Sequence, residues 1–519
     1  MSLMTFLSTS SFFLSDYLTE QLEGNNYRIG QFNYALKSKN IAALTLAEDK
    51  ADYGSMNWLA LNQALAKSKK SSALELGYWY EQQDQYKSST TLFNTAIMWF
   101  EQAIRLNSQQ GVVTLAQLYF QQGKLSKAQA TLQRLSVNIN ENHLVTTALV
   151  LRIKIAVALG NVDQVEKLIG SYVFNIADTN QIKSLFYDLK RYAVIKNKTL
   201  MKSNVRGNKS LQLSASLSCT TSLQLFATNL SHLKHLDQLI KAFKEKLPLA
   251  KYICLPAPRY ISVKQLDCMT YSNKAINCDE TKWQSIATEV DSRHIGLMLN
   301  KGGANVHLGI LYFDIEDNVN VFSHEVSHLL GFVDEYPLRK GHKKCQRIQQ
   351  RPFAHNIAVL QSYYQGEQQE LRARILKEIP WSASIKADTP IMQRVYINSN
   401  MQKNWQLGTP IEFKQHVGLH FSESCQNSSF VNNLSSNITA FKPLSRRTQL
   451  RYFANDFPEE YLTLLEAKPS TYLMPSFHYN IALALFKQGN IVDAKYWLLQ
   501  ASKWENDPMK KSRIFKGAF

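Results

Sequence analysis

The sequence predicts a multidomain protein in which an all-α solenoid of helical repeats is joined to an α+β domain. The chain has 519 residues, more than one hydrophobic core usually spans. Residues 17–192 carry apolar side chains at the three- and four-residue spacing of amphipathic helices, with almost no Pro or Gly inside the runs. Beyond them the pattern changes to short strands that alternate with helices.

One unit recurs within the helical segment. Residues 115–128 read LAQLYFQQGKLSKA, with small and large residues where a tetratricopeptide repeat has them. Gly123 ends the first helix of this unit, and Ala128 lets the second helix pack closely against it. Similar spacing occurs at Gly77, Tyr80, Ala96, Phe100 and Ala103, at Ile153, Ala156, Gly160 and Val165, and again from residue 478 to residue 501. The segment therefore resembles a tetratricopeptide-type solenoid, which implies a protein or peptide partner in its groove. A generic array of helical hairpins would have the same groove.

Composition indicates the domain boundaries. No acidic residue occurs between Asp188 and Asp237, and residues 196–209 are polar, basic and without helical period. We expect a helical repeat domain at residues 1–200, a basic linker at 201–210, the α+β domain at 211–430 and a C-terminal helical repeat segment at 431–519. Residues 426–437 (QNSSFVNNLSSN) are typical of a surface loop.

The α+β domain has a predicted order of elements. Its strands and its first helix are expected at 211–217 (strand), 230–247 (helix), 294–299 (strand) and 306–313 (strand). Either Asn318 or Asn320 is placed to cap the helix that follows.

The six cysteines all lie between residues 219 and 425 and contain no C-x-x-C pair. This clustering indicates a domain stapled by disulfides, typical of a periplasmic or secreted protein. Six free thiols in a cytosolic protein are the alternative, and six cysteines allow about fifteen pairings. Residues 4–14 resemble the core of a signal peptide, but no Lys or Arg precedes them.

The formal charge of +18 would suit an acidic partner. However, the lysines are scattered, and no arginine-rich stripe interleaved with aromatic residues is present. We therefore expect a basic, solvated surface and no nucleic-acid partner. No apolar run approaches the roughly twenty residues of a membrane span, so we expect no transmembrane segment.

A metal-binding pattern occurs within residues 321–336 (VFSHEVSHLLGFVDEY). His324 and His328 are one helical turn apart, so their ring nitrogens can reach one zinc ion, and Glu325 can act as a base toward water there. A catalytic zinc has three protein ligands and an open position. Gly331 can adopt the positive φ that ends the helix and brings Asp334 toward the metal.

The segment resembles the metzincin signature H-E-x-x-H-x-x-G-x-x-H, with Asp334 in place of the third histidine. Its ending, G-x-x-D-E-Y, is similar to that of the IgA-peptidase-like zinc metallopeptidases. The resemblance implies a zincin-like fold, Zn²⁺ held by His324, His328 and Asp334, and Glu325 as general base. It also implies a methionine turn beneath the metal, for which Met392 is the candidate.

Several alternatives remain open. Glu335, or a downstream glutamate among Glu367, Glu370 and Glu378, could supply the third ligand, although the glycine-to-ligand spacing favours Asp334. Tyr336 either donates a hydrogen bond to an oxyanion or packs at the turn. The remaining downstream histidines are expected to be surface or core residues; they are His342, His355, His416 and His420.

These features predict a zinc metallopeptidase, an endopeptidase that hydrolyses peptide bonds with a metal-activated water. The strand through Gly309, Ile310 and Leu311 is the candidate edge to which an extended peptide substrate adds. The alternative is a non-catalytic adaptor of the tetratricopeptide type with a zinc-binding module. Glu325 favours the enzyme, because a structural zinc site closes its coordination with four protein ligands and needs no such glutamate.

Overall fold

The computed structural model describes residues 12–23, 28–87, 90–136, 142–172, 180–195, 219–271, 274–395, 404–426 and 438–519. The chain forms two compact units, residues 1–186 (the N-terminal unit) and 187–519 (the C-terminal unit). The linker predicted at 201–210 and the strand predicted at 211–217 lie outside the described residues. So does the loop predicted at 426–437, apart from its first residue.

The N-terminal unit consists of helices in its described part. They are α1 (Phe12–Glu23), α2 (Ile29–Ser38), α3 (Ile41–Leu46), α4 (Met56–Leu65), α5 (Lys70–Lys87), α6 (Thr90–Arg105), α7 (Gln109–Gln121), α8 (Leu125–Leu132), α9 (Asn142–Ala158), α10 (Val162–Tyr172) and α11 (Asn180–Arg191), within which the unit boundary falls. Helices α5 and α6, α7 and α8, and α9 and α10 pack in pairs. No helix of the described chain is both long and apolar enough to cross a membrane.

Small residues set the close contacts of these hairpins. A Cβ added to Gly77 in α5 would lie 2.5 Å from the Phe100 ring of α6, so glycine permits this helix approach. Gly123 has φ +70° in the turn between α7 and α8, and Ala128 of α8 is fully buried. The repeat pattern in the sequence therefore corresponds to helix-helix contacts.

The C-terminal unit is built around a six-stranded sheet. Its main strand order is β2-β1-β6-β8-β7, with β3 also paired to β1, and all pairs are parallel except β7 with β8. The strands are β1 (Thr221–Ala227), β2 (Ile253–Cys254), β3 (Arg259–Tyr260), β6 (His294–Leu299), β7 (Asn305–His307) and β8 (Ile310–Asp314).

The strand expected at 306–313 is in fact a hairpin. Leu308 (φ +45°) and Gly309 (φ +88°) form a two-residue turn, and β7 returns antiparallel to β8. A run of apolar residues can be one strand or two, and a leucine gives no local signal for a left-handed conformation. Consequently β7 is the edge of the sheet and β8 is an interior strand.

Smaller elements complete the unit. Its helices are α12 (Leu230–Lys246), α13 (Gln284–Glu289), α14 (Val319–Leu329), α15 (Gln368–Glu378), α16 (Glu459–Ala467), α17 (Phe477–Lys487), α18 (Ile491–Lys503) and α19 (Pro508–Phe515). The remaining strands form the sheets β4-β5, β10-β12-β11 and β13-β14-β9; they are β4 (Cys268–Met269), β5 (Asn277–Cys278), β9 (Ala358–Gln361), β10 (Tyr363–Gln365), β11 (Met392–Val395), β12 (Asn404–Leu407), β13 (His420–Phe421) and β14 (Ile438–Lys442).

The C-terminal helices share the hydrophobic core of the large sheet. Phe477 of α17 and Trp497 of α18 belong to the same buried cluster as Ile295 of β6 and Tyr312 of β8. These helices of the segment predicted at 431–519 therefore pack on the large sheet, and its bounds as a helical repeat segment stay a prediction.

All six cysteines form disulfides, as the sequence predicted. The pairs are Cys219–Cys254, Cys268–Cys278 and Cys345–Cys425.

Candidate metal centre

Helix α14 places the two histidines. The Asn318 side chain caps the helix by accepting hydrogen bonds from the backbone N–H groups of Asn320 and Val321. Phe322 packs edge-on against Phe243 of α12 at 5.1 Å and lies 5.8 Å from Phe313 of β8, between ring centroids. The helix is therefore held against both the sheet and α12, and its histidines are presented from a rigid element.

Gly331 turns the chain directly after the helix. Its φ is +96°, and a Cβ there would lie 2.4 Å from the carbonyl oxygen of Tyr472. The backbone N–H of Phe332 donates to the Ser327 carbonyl, and that of His355 donates to the Gly331 carbonyl. Both the conformation and the close packing require glycine, and the turn directs Asp334 back toward α14.

His324, His328 and Asp334 meet in one cluster that could hold a metal ion. Oδ1 of Asp334 lies 3.1 Å from Nε2 of His324 and 3.1 Å from Nε2 of His328. The two Nε2 atoms are also 3.1 Å apart. The cluster thus presents three donor atoms at the mutual spacing of ligands to a single ion.

Hydrogen bonds on the far side of each ring fix its orientation. Nδ1 of His324 lies 2.9 Å from the carbonyl oxygen of Gln449, and Nδ1 of His328 lies 3.1 Å from that of Phe332. A carbonyl only accepts, so each Nδ1 carries a hydrogen and each Nε2 faces the cluster; in the neutral imidazole that Nε2 has the lone pair. This is the tautomer that binds a metal.

The electrostatics of the cluster favour a bound cation. Oδ1 of Asp334 is buried and faces the two imidazole Nε2 atoms. Burial opposes a charged imidazole, yet the Asp334 carboxylate raises the pKa of His328 to about 9. Burial likewise opposes a charged carboxylate, but the imidazoles hold the pKa of Asp334 well below its usual range. Two imidazole nitrogens and a carboxylate oxygen suit zinc and similar divalent ions.

Glu325 lies on α14 beside these ligands. Its side chain is buried, and its carboxylate has no hydrogen-bond partner among the described residues. Burial raises the pKa of Glu325, against the attraction of His328 and His324. A buried, unengaged carboxylate next to a metal-binding cluster is suited to receive a proton.

The Glu335 carboxylate belongs to a separate, buried network of hydrogen bonds and an ion pair. Its carboxylate lies 2.7 Å from Nζ of Lys442 and also accepts hydrogen bonds from Tyr461 and Asn356. Within the described residues the cluster also contains none of the downstream glutamates; they are Glu367, Glu370 and Glu378.

Aromatic side chains border the cluster. The Tyr336 ring stacks over that of His324, with centroids 6.3 Å apart and planes 12° apart. Burial and then the charge of Asp334 raise the pKa of Tyr336, so its hydroxyl stays protonated. The Phe453 ring meets His324 edge-on at 4.6 Å, a contact that sequence reasoning missed.

The remaining predicted residues lie elsewhere. Met392 is a buried residue that begins β11 and pairs with Leu407, and its place beneath the metal stays a prediction. The expected peptide-binding edge at Gly309, Ile310 and Leu311 is corrected by the structure. Gly309 is in a turn, and the other two are fully buried in β8 between β6 and β7.

The other histidines are placed outside the cluster. His355 is buried against the rings of Phe332 and Tyr472. In the described structure the metal-binding group includes none of the remaining downstream histidines either; they are His342, His416 and His420.

Several supporting residues come from far downstream and carry no local motif. Besides Gln449, the hydroxyl of Ser424 donates to the Asp334 carbonyl at 2.6 Å. Ser424 adjoins Cys425, whose disulfide with Cys345 ties this support to the segment after the motif. The clustered cysteines were the only sequence signal of this arrangement.

No known family model matches the chain, and no curated protein matches it with significance.

Proposed function

We propose that the protein is a zinc-dependent endopeptidase with a zincin-like catalytic domain. The observation that carries the proposal is the convergence of His324, His328 and Asp334, with both Nε2 atoms directed inward and Glu325 beside them. This donor set leaves room for a further ligand, as catalytic rather than structural zinc requires.

Each residue has a distinct role in the proposed reaction. When bound, zinc supplies a Lewis acid that polarises a carbonyl and lowers the pKa of water toward neutrality. His324, His328 and Asp334 hold the ion. Glu325 accepts a proton from the attacking water and returns it to the leaving amine, a role that its raised pKa suits. The edge strand β7, which packs near α14, offers main-chain groups to an extended peptide.

Two further features belong to this proposal. The paired helices of the N-terminal unit form a tetratricopeptide-like solenoid that binds a protein or peptide partner. The three disulfides favour a periplasmic or secreted location, because thiols stay reduced in the cytosol.

The test combines metal analysis with cleavage of a mixed peptide library, with and without a chelator. We expect Glu325→Gln to retain zinc but to lose at least about 100-fold in cleavage rate, whereas His328→Ala loses the zinc itself. Glu370→Gln, on the exposed part of α15, is the matched control and should cleave normally. Full activity of zinc-loaded Glu325→Gln would refute the assignment. Zinc in the wild type without chelator-sensitive cleavage would instead support the adaptor hypothesis.

A further inference from the structure

A large basic cavity opens in the C-terminal unit. Its volume is about 1620 Å³, and ten of its lining residues are Lys or Arg whereas two are Glu or Asp. Such a volume exceeds the roughly 300–1,000 Å³ of a small-molecule site, so a polymer segment can enter it. The cations come from the loop after the metal-binding motif, from α17, from the region of α18 and α19, and from Arg293, which directly precedes β6.

The two acidic residues do not neutralise these cations. Glu505 is bonded to Arg293 at 2.5 Å and to Lys510 at 3.1 Å. Asp507 accepts the backbone N–H of Lys510 as the cap of α19. Six other cations that line the cavity are exposed and form no salt bridge in the described structure; they are Arg339, Lys340, Lys343, Lys344, Arg351 and Lys487. Carboxylates act on two of them only at longer range, Asp334 on Lys344 and Glu280 on Lys487.

Cations from separate elements act together on one histidine of the cavity. Burial, then the charges of Lys487 and Arg339, lower the pKa of His307 at the end of β7. Uncompensated positive charge in a concave site attracts anions strongly. The cavity is therefore suited to a ligand with several negative charges.

Cations lie over two of the five Phe, Tyr and Trp rings that line the cavity. Lys344 lies over the Phe353 ring, with its Nζ atom 4.8 Å from the ring centroid. Arg513 lies over Phe519 at 5.7 Å, and Trp504 is stacked against His478. Single-stranded nucleic acids are bound mainly by stacking bases on free rings beside a basic groove. Ten Lys and Arg side chains line this cavity and two of its rings already carry a cation, which favours an acidic polypeptide over a nucleic acid.

The cavity also adjoins the elements that a peptide substrate would use. Val306 and His307 of the edge strand β7 line it. Strand β7 packs against α14, the helix that carries His324 and His328, and residues 339–344 of the cavity wall follow Asp334 directly in the chain. An extended chain seated here would lie near both the sheet edge and the metal centre.

We propose that this cavity binds acidic segments of polypeptide and that such segments are the substrate class of the metal centre. Binding stands on the cavity alone, whereas the substrate assignment rests on the proposed peptidase function.

The test measures the binding of a fluorescein-labelled Glu/Asp-rich peptide to the full chain by anisotropy, in the presence of a chelator so that no cleavage occurs. A peptide with Gln and Asn in place of Glu and Asp is the ligand control. The triple substitution Lys340→Glu, Lys343→Glu and Lys487→Glu should weaken acidic-peptide binding by about tenfold or more. The triple substitution Lys301→Glu, Lys414→Glu and Lys495→Glu changes the net charge equally at exposed sites outside the cavity and should change binding less than about twofold.

The corresponding triple Lys→Gln substitution in the cavity should weaken acidic-peptide binding by a smaller factor. It replaces the Lys→Glu variant in this test if charge reversal prevents folding. Equal binding of the neutral peptide, or equal losses in the two Lys→Glu triples, would overturn the proposal. So would tighter binding of a single-stranded oligonucleotide, or of phosphatidylglycerol vesicles, that depends on the cavity lysines. Acidic-peptide binding without metal-dependent cleavage would support the binding site but refute the proposed peptidase and, with it, the substrate assignment.

Discussion

Lys442→Met tests whether a buried ion pair stabilises the turn after Gly331, which carries Asp334. Nζ of Lys442 lies 2.7 Å from Glu335, and the two side chains are 7% and 0% exposed. Glu335 directly follows the ligand Asp334. Removing the cation leaves a buried carboxylate with only the neutral donors Tyr461 and Asn356.

The expected loss of unfolding free energy is about 3–5 kcal/mol, the cost of breaking a buried pair by removing one partner. A folded domain has only about 5–15 kcal/mol in total, so the variant should unfold at much lower urea concentration. Adding Glu335→Gln removes the orphaned charge and should restore at least about 2 kcal/mol. Zinc affinity should fall in Lys442→Met and recover in the double variant, because the anchored turn carries Asp334.

The assay is urea unfolding of the full chain with its disulfides intact, followed by tryptophan fluorescence, together with zinc titration. Lys495→Met, on the exposed face of α18, is the matched control and should stay within about 0.5 kcal/mol of the wild type. A loss below about 1 kcal/mol for Lys442→Met, or no recovery in the double variant, would refute the reasoning.

Two further perturbations probe the same unit. Replacing Cys345 and Cys425 with Ser removes a disulfide that spans 80 residues, so calorimetry should show a loss of up to about 4–5 kcal/mol. Zinc titration should show weaker binding because Ser424 loses its anchor; unchanged zinc affinity would contradict this link. Burial lowers the pKa of His478 to about 4, whereas an unfolded chain protonates this group near about 6.5. Stability is therefore lost as the pH falls from about 6.5 toward 4, by about 2 kcal/mol at pH 5. In urea unfolding, the free energy of unfolding of His478→Gln should fall by about 2 kcal/mol less than that of the wild type between neutral pH and pH 5.

The members of the metal-binding cluster could be predicted because they are local in sequence. A helix fixes the relative position of His324 and His328, and Gly331 supplies the only sharp turn needed to bring Asp334 back. Helical periods and the clustered cysteines predicted the mixed fold and its disulfides for the same reason: each depends on spacing or composition that the chain displays directly.

The rest depends on contacts between distant segments. Gln449 and Ser424 support the cluster through a backbone carbonyl and a hydroxyl, groups that any sequence contains and no motif marks. The apolar run through Leu308 hid a hairpin, since Leu308 gives no sign of its left-handed conformation. Lysines that seemed scattered in the sequence converge in one cavity, because folding brings residues 339–344 beside Lys487.

The carbonyl of Gln449 that orients His324 comes 125 positions after it in the chain. On the ribosome, at about 5–20 residues per second, this partner is made roughly 6–25 s after the histidine. A growing chain that already carries the entire motif therefore lacks the group that fixes the His324 tautomer. The geometry of the candidate metal centre is therefore completed late in synthesis, well after its motif has been made.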